Sequence, residues 1–151
     1  MSALWEPSLN VAKKWDGVIQ PTLWEYPAGH VHALMRSTRG AVYRSDSTDG
    51  GETWCAAYDA GLPNNNSGID AVHIGGGRVA LLYNPINNNW GARTPLTLVL
   101  SEDNGVTWQK CLDLETNPGE YSYPSIIYRE GELHCAYTFN RVNIFYARIA
   151  L

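Results

Sequence analysis

Three arginines fall at comparable places along the chain: Arg36 in LMRS, Arg93 in GARTP and Arg141 in FNRVN. A guanidinium is a planar fork that binds a carboxylate through two parallel hydrogen bonds, so arginines gathered on one rim suit an acidic sugar. Each could equally pair with a local carboxylate. Near the third arginine, GEYSYPSII offers two tyrosines, Tyr121 and Tyr123, as nucleophiles or as ordinary wall aromatics. At an ordinary pKa near 10, a tyrosine is about 0.1% ionised at pH 7, and forming the phenolate costs roughly 4 kcal/mol, so attack by either needs a base. Candidate carboxylates are Asp70, Glu120 and Asp16. LPNNNSGID and INNNWGAR add Asn65, Asn66 and Trp90, with amides for sugar hydroxyls and an indole face for stacking, although Asn-rich runs are also ordinary loops. His32, His73 and His134 show no metal-ligand arrangement, and neither a metal nor another cofactor is expected.

The elements that must position these residues are marked by a repeat. STDGGETW (Ser47–Trp54) returns as SEDNGVTW (Ser101–Trp108), 54 residues later from Trp54 to Trp108. In each box the Asp can accept the turn's backbone N–H groups and the Gly allows positive φ. The tryptophans are expected to anchor the hairpins between units. Two apolar, β-rich runs split by a Gly turn precede each box, and a third pair, YPSIIYREGELHCAYTF, follows without a box. With Gly29, Gly77 and Gly131 as turn marks, each unit reads as a four-stranded antiparallel blade. The period and strand content predict an all-β chain: a β-propeller segment of about three blades, near 16–60, 64–112 and 118–151, with 1–15 as an edge or closing segment. The Gly turns and boxes share one end. Strand-one starts, with Gln20, Asn66 and Tyr121 to Tyr123, gather with the three arginines at the other.

Composition narrows the function classes. The chain has 151 residues, 44% hydrophobic and 17% charged, as expected for one packed domain. A net charge of −4 without a basic run argues against nucleic acid and anionic membranes as partners. No apolar stretch approaches the roughly 20 residues of a membrane span, and MSALWEPSLN lacks a signal-peptide pattern, so a soluble chain of unknown compartment is expected. Cys55, Cys111 and Cys135 are read as small buried apolar residues rather than a disulfide or zinc set. Asn65-Asn66-Ser67 formally matches a glycosylation sequon.

Ser-x-Asp-x-Gly-x-Thr-Trp, present twice, resembles the Asp box of sialidase-like (BNR repeat) propellers. The resemblance implies a six-bladed ring, of which this chain is similar to the carboxy-terminal half. It is then a fragment or a half-propeller completed by a second copy or by a separate amino-terminal half. Arg36 resembles the second, and Arg93 the third, arginine of the sialidase triad. The first, and the acid/base aspartate, belong to blades not represented here. Arg141 has no counterpart in that triad. Tyr121-Ser122 resembles the family's Tyr-Ser dipeptide, whereas Tyr123-Pro124 matches Gln20-Pro21 in the internal repeat; both tyrosines stay as candidates, since residues two apart in a strand share a face. Gln20, nine residues before Gly29, stands where the family has the glutamate that serves as base for the tyrosine. An amide cannot take that proton. The resemblance therefore implies a sialidase-like glycoside hydrolase acting on an acidic sugar of a glycan; a non-catalytic carbohydrate-binding or scaffold propeller and a polysaccharide lyase are the alternatives.

Overall fold

A computed structural model describes residues 17–151, so Asp16 and the 1–15 segment lie outside the described residues. Eleven strands form three antiparallel sheets. The first runs in order β1 (Val18–Glu25), β2 (Val31–Ser37), β3 (Ala41–Ser47) and β4 (Tyr58–Pro63). The second is β5 (Asp70–Gly75), β6 (Arg78–Tyr83), β7 (Leu96–Ser101) and β8 (Gln109–Glu115). The third holds three strands, β9 (Tyr121–Arg129), β10 (Glu132–Phe139) and β11 (Asn143–Ala150). Each sheet is a simple meander, in which consecutive strands pair with one another.

Period-two alternation decides how the sheets stack. In β6, Val79 and Leu81 pack with Trp24, Leu34, Val42 and Leu62 of the first sheet. The intervening Ala80 and Leu82 pack with Ile126, Leu133, Cys135 and Tyr137 of the third. The middle sheet is therefore apolar on both faces, which explains why RVALLY and LTLVLS read as continuous apolar runs. The inner strands β1, β5 and β9 lie side by side, with contacts from β1 to β5 and from β5 to β9. This is three blades of a propeller. Tyr123, Ile127, Ile144 and Tyr146 remain exposed on the last blade. The pairing of Ile127 with His134, of Thr138 with Ile144 and of Ala136 with Tyr146 puts Ile127, Ile144 and Tyr146 opposite the face packed on the middle blade.

The boxes form the turns that the repeat predicts. Asp103 accepts the backbone N–H of Thr107 at 2.7 Å and the hydroxyl of Ser101 at 2.8 Å, and Asp49 makes the matching bonds with Thr53 and Ser47. The next amide on, Gly50 or Asn104, donates to Gly29 O or Gly77 O, tying box to hairpin turn at one end of the blade. Trp108 packs against the cluster between the first two blades; Trp54 packs on the far face of the first, against Val18, Ala33 and Met35. The second box also reaches across: Asn104 accepts from Trp24 Nε1 at 2.8 Å, and Arg44 donates to the Asn104 and Gly105 carbonyls. The cysteine expectation needs correction, since only Cys135 is buried while Cys55 and Cys111 are exposed. Cys111 sits on outer strand β8 and Cys55 just after a box, where the chain faces solvent.

The Thr hydroxyl and N–H groups clustered on each box carboxylate hold the pKa of Asp49 and of Asp103 down to about 2. A depressed folded-state pKa contributes stability above the unfolded value near 4, and that stability is lost as pH falls through the folded value. Acid unfolding followed by tryptophan fluorescence should therefore steepen between about pH 4 and 2. The double variant Asp49→Asn, Asp103→Asn should be less stable at pH 7 and should show a flatter pH dependence in that window.

Candidate functional site

At the end opposite the boxes, the first and third blades carry the same backbone irregularity. Between Ile19 and Thr22 of β1, and between Ser122 and Ser125 of β9, two residues stand against one on the neighbouring strand. Each bulge consists of a positive-φ residue followed by proline: Gln20 (φ 53°) before Pro21 and Tyr123 (φ 52°) before Pro124. Proline has no N–H for the ladder, and a bulge accommodates that loss while re-aiming the preceding side chain. The extra residue breaks the rule that residues two apart share a face. Tyr121 is 2% exposed, its ring 5.3 Å edge-on from Phe139 in the core between the second and third blades. Tyr123 is 49% exposed at the rim. The two tyrosines thus face different ways, and the shared-face expectation is corrected by the bulge.

Tyr123 lies against Gly68, where an added Cβ would come 3.2 Å from its ring. The Arg93 guanidinium carbon sits 5.2 Å from the ring centroid on the last blade. Arg93 Nη1 donates to Glu120 Oε1 at 3.0 Å, and Arg141 Nε donates to the same oxygen at 2.6 Å. Those arginines, chiefly Arg141 through its hydrogen bond, hold the Glu120 carboxyl below its usual range despite some desolvation. Arg141 is presented by a two-residue turn, Asn140 (φ 52°) and Arg141 (φ 54°), closed by Val142 N–H to Phe139 O at 3.0 Å. Such positive-φ pairs match the twist of a hairpin. A cavity of about 500 Å³ adjoins, lined by Tyr123, Thr138, Arg141, Val142, Asn143 and Ile144.

Arg36 is differently placed. Its Nη1 donates to Asn66 O at 2.8 Å, and among the described residues it has no carboxylate partner. Arg36 Nε and Asn66 Oδ1 are buried without a hydrogen-bond partner. Both residues line a cavity of about 480 Å³ with Ile19, Thr38, Asn89 and Trp90. Trp90, 72% exposed, stands at the mouth. Asn66 Nδ2 donates to Asn89 Oδ1 at 3.1 Å. Asn65 is buried and fully engaged: its Nδ2 donates to Ala92 O at 2.5 Å and its Oδ1 accepts from Ser67. It ties the 91–92 loop to the start of the middle blade and leaves no group for a ligand. The rim is continuous, since the Asn65 anchor on Ala92 lies one residue from Arg93. Sequence reasoning passed over Asn89, although its run INNNW had been noted.

Asp70 is a clasp between blades. Its Oδ1 accepts from Thr22 Oγ1 of the first blade at 2.7 Å, and its Oδ2 accepts from Ile126 N of the third at 2.8 Å. Both partners lie just past the two bulges. Asp70 therefore holds the inner strands in register rather than standing free as a base, and Gln20, exposed at its bulge, carries an amide. Among the described residues no group of three His, Cys, Asp or Glu could hold a metal ion, and no helix is long and apolar enough to cross a membrane.

The fold and its Asp boxes define the class, a sialidase-like propeller. The profile of the BNR repeat-like domain matches residues 2–135, and the chain belongs to that family. Among solved structures it is similar to a mutant NanB sialidase from Streptococcus pneumoniae (TM-score 0.65, 20% identity, 78% of this chain and 19% of that one). It is also similar to the intramolecular trans-sialidase from Ruminococcus gnavus (TM-score 0.65, 18% identity, 87% and 32%). A third similar structure is an α-L-arabinofuranosidase from Fusarium graminearum (TM-score 0.62, 18% identity, 87% and 44%). At these identities the likeness is one of fold, and the chain spans less than half the length of each. No curated protein matches the sequence.

Replacing Asp70 by Ala leaves the Ile126 N–H without its acceptor and the Thr22 hydroxyl with only the Ala71 carbonyl at 3.3 Å. The expected loss is about 2 kcal/mol, read as a lower urea midpoint with an unchanged slope. Thr22→Val removes the bond to Asp70 and one acceptor of the Ala71 N–H, but Asp70 Oδ1 still accepts that N–H at 3.1 Å and still holds Ile126, so it should cost less.

Proposed function

We propose that this chain is an acidic-sugar-recognising arc of a sialidase-like propeller, with Arg36 as the group that meets the sugar's carboxylate. One observation carries the reading: Arg36 is a guanidinium with no counter-ion among the described residues, lining a cavity whose mouth is an exposed tryptophan. A carboxylate supplies the charge that the site lacks, Trp90 offers a face for the sugar ring, and Asn66 and Asn89 offer amides to hydroxyls. Tyr123 is the tyrosine that faces the rim.

Glycoside hydrolysis is the finer form of this proposal. It requires Tyr123 to lose a proton, yet the position that resembles the family's glutamate holds Gln20, while Asp70 and Glu120 are committed to other partners. Those engagements favour sugar binding without turnover by the isolated chain. The open face of the last blade supports completion of the ring by a second copy or by a separate half-propeller, since consecutive blades here bury apolar clusters against each other.

The test is titration with a sialic acid methyl glycoside beside a neutral methyl galactoside. The acidic sugar should bind, Arg36→Ala should weaken it at least tenfold and Trp90→Ala by several-fold, and the neutral sugar should bind in neither case. Equal binding of both sugars would rule out the carboxylate reading. Purified chain should release little or no sialic acid from a fluorogenic sialoside; robust turnover, lost in Tyr123→Phe, would instead establish hydrolysis.

A further inference from the structure

The three rim arginines are not equivalent, and the difference lies in Glu120. Arg93 and Arg141 come from loops of two different blades, yet both donate to Glu120 Oε1, at 3.0 and 2.6 Å. This is how two arginines would grip the acidic group of a ligand. The backbone builds Glu120 into that position: residues 93 and 120 form a parallel bridge, Tyr121 N–H donates to Arg93 O, Glu120 N–H donates to Asn140 Oδ1, and Asn140 N–H donates to Glu120 O. Three hydrogen bonds, two between main chains and one from Glu120 N–H to the Asn140 side chain, hold residue 120 between the two cations. Arg36 has no such partner among the described residues.

We infer that Glu120 is a resident carboxylate that fills the anion site formed by Arg93 and Arg141, confining a ligand's acidic group to Arg36. This rests on the acidic-sugar reading for the role of Arg36 but not for the occupied state of the other two arginines. With Glu120 in place, two cations and one anion leave a single net positive charge beside Tyr123, and an incoming carboxylate would meet a like charge between its intended donors. The depressed pKa of Glu120 keeps that carboxylate ionised through the neutral range. Glu120 thereby acts as a specificity-determining residue, since the rim accepts one acidic group and offers the 500 Å³ cavity beside Tyr123 to uncharged parts of the ligand.

The experiment uses inorganic sulfate and sialic acid methyl glycoside as separate probes, followed through the backbone amide resonances of Arg36, Tyr123 and Arg141. Glu120→Gln keeps the shape and an acceptor oxygen while removing the charge. It should raise sulfate affinity at Tyr123 and Arg141 by about tenfold, and adding Arg141→Gln should abolish that gain. In the wild type, sialic acid should shift Arg36 and leave Arg141 unshifted, whereas in Glu120→Gln it should shift Arg141 as well. Unchanged or weaker sulfate binding in Glu120→Gln would overturn the inference. The wild-type protein supplies a second arm that does not depend on the variant folding: sulfate should not saturate Tyr123 and Arg141, and saturation lost in Arg141→Gln would also overturn it. If sialic acid binds nowhere, the Arg36 reading falls, while the sulfate result still decides the role of Glu120.

Discussion

Everything at the rim depends on the middle sheet being apolar on both faces. Val79 and Leu81 point one way and Ala80 and Leu82 the other, so one strand fixes the position of two neighbouring sheets at once. Burying a Leu side chain contributes roughly 1.5–3 kcal/mol, and Leu81, Leu82, Leu96 and Leu98 of β6 and β7 are fully enclosed. With both neighbours held in this way, the inner strands come close enough for Asp70 to bond to Thr22 on one side and Ile126 on the other. Hydrophobic stacking sets the coarse geometry and one carboxylate sets the register.

Register matters because the functional side chains are presented by local departures from regular strand. Gln20 and Tyr123 both sit at positive φ immediately before proline. A regular strand would have turned Tyr123 to the same face as Tyr121, into the core. The bulge instead exposes Tyr123 and places it against Gly68, where an added Cβ would crowd its ring at 3.2 Å. Once the blades are clamped, the same segment contributes a core aromatic and a rim aromatic two residues apart. Charge follows the same division. At one end of the rim, Glu120 bridges Arg93 and Arg141; at the other, Arg36 is held, among the described residues, only by a backbone carbonyl. A surface of uniform arginine character in the sequence is electrostatically uneven in space.

Much of the architecture was legible in the sequence. Two copies of Ser-x-Asp-x-Gly-x-Thr-Trp are self-contained: each Asp bonds to groups within four residues of itself, so their chemistry needs no tertiary context. Hairpin turns and the common end of turns and boxes follow from that local logic, whereas the last blade holds three strands among the described residues where four were expected. The juxtaposition of Tyr123, Arg93 and Arg141 is in keeping with the places the repeat gives them. The cysteines were less so, because the same residue type is buried on β10 and exposed on β8, according to whether its side chain falls on the face covered by the neighbouring blade, as Cys135 does and Cys111, beside Leu112, does not.

What the sequence alone determined, then, is what short-range bonding and period-two alternation can specify: an all-β chain, blades of sialidase-like type, and the end at which chemistry-bearing residues collect. Only the tertiary structure decided which of them are free. Asp70, Asn65 and Glu120 read as candidates or neighbours of a site. They are spent on partners 48, 27 and 27 residues away, in Thr22, Ala92 and Arg93. Arg36 reads like the other arginines but has no counter-ion among the described residues. A hydrogen bond or ion pair between distant segments leaves no trace in local spacing, since it depends on how whole sheets pack and on where a bulge shifts the register by one residue.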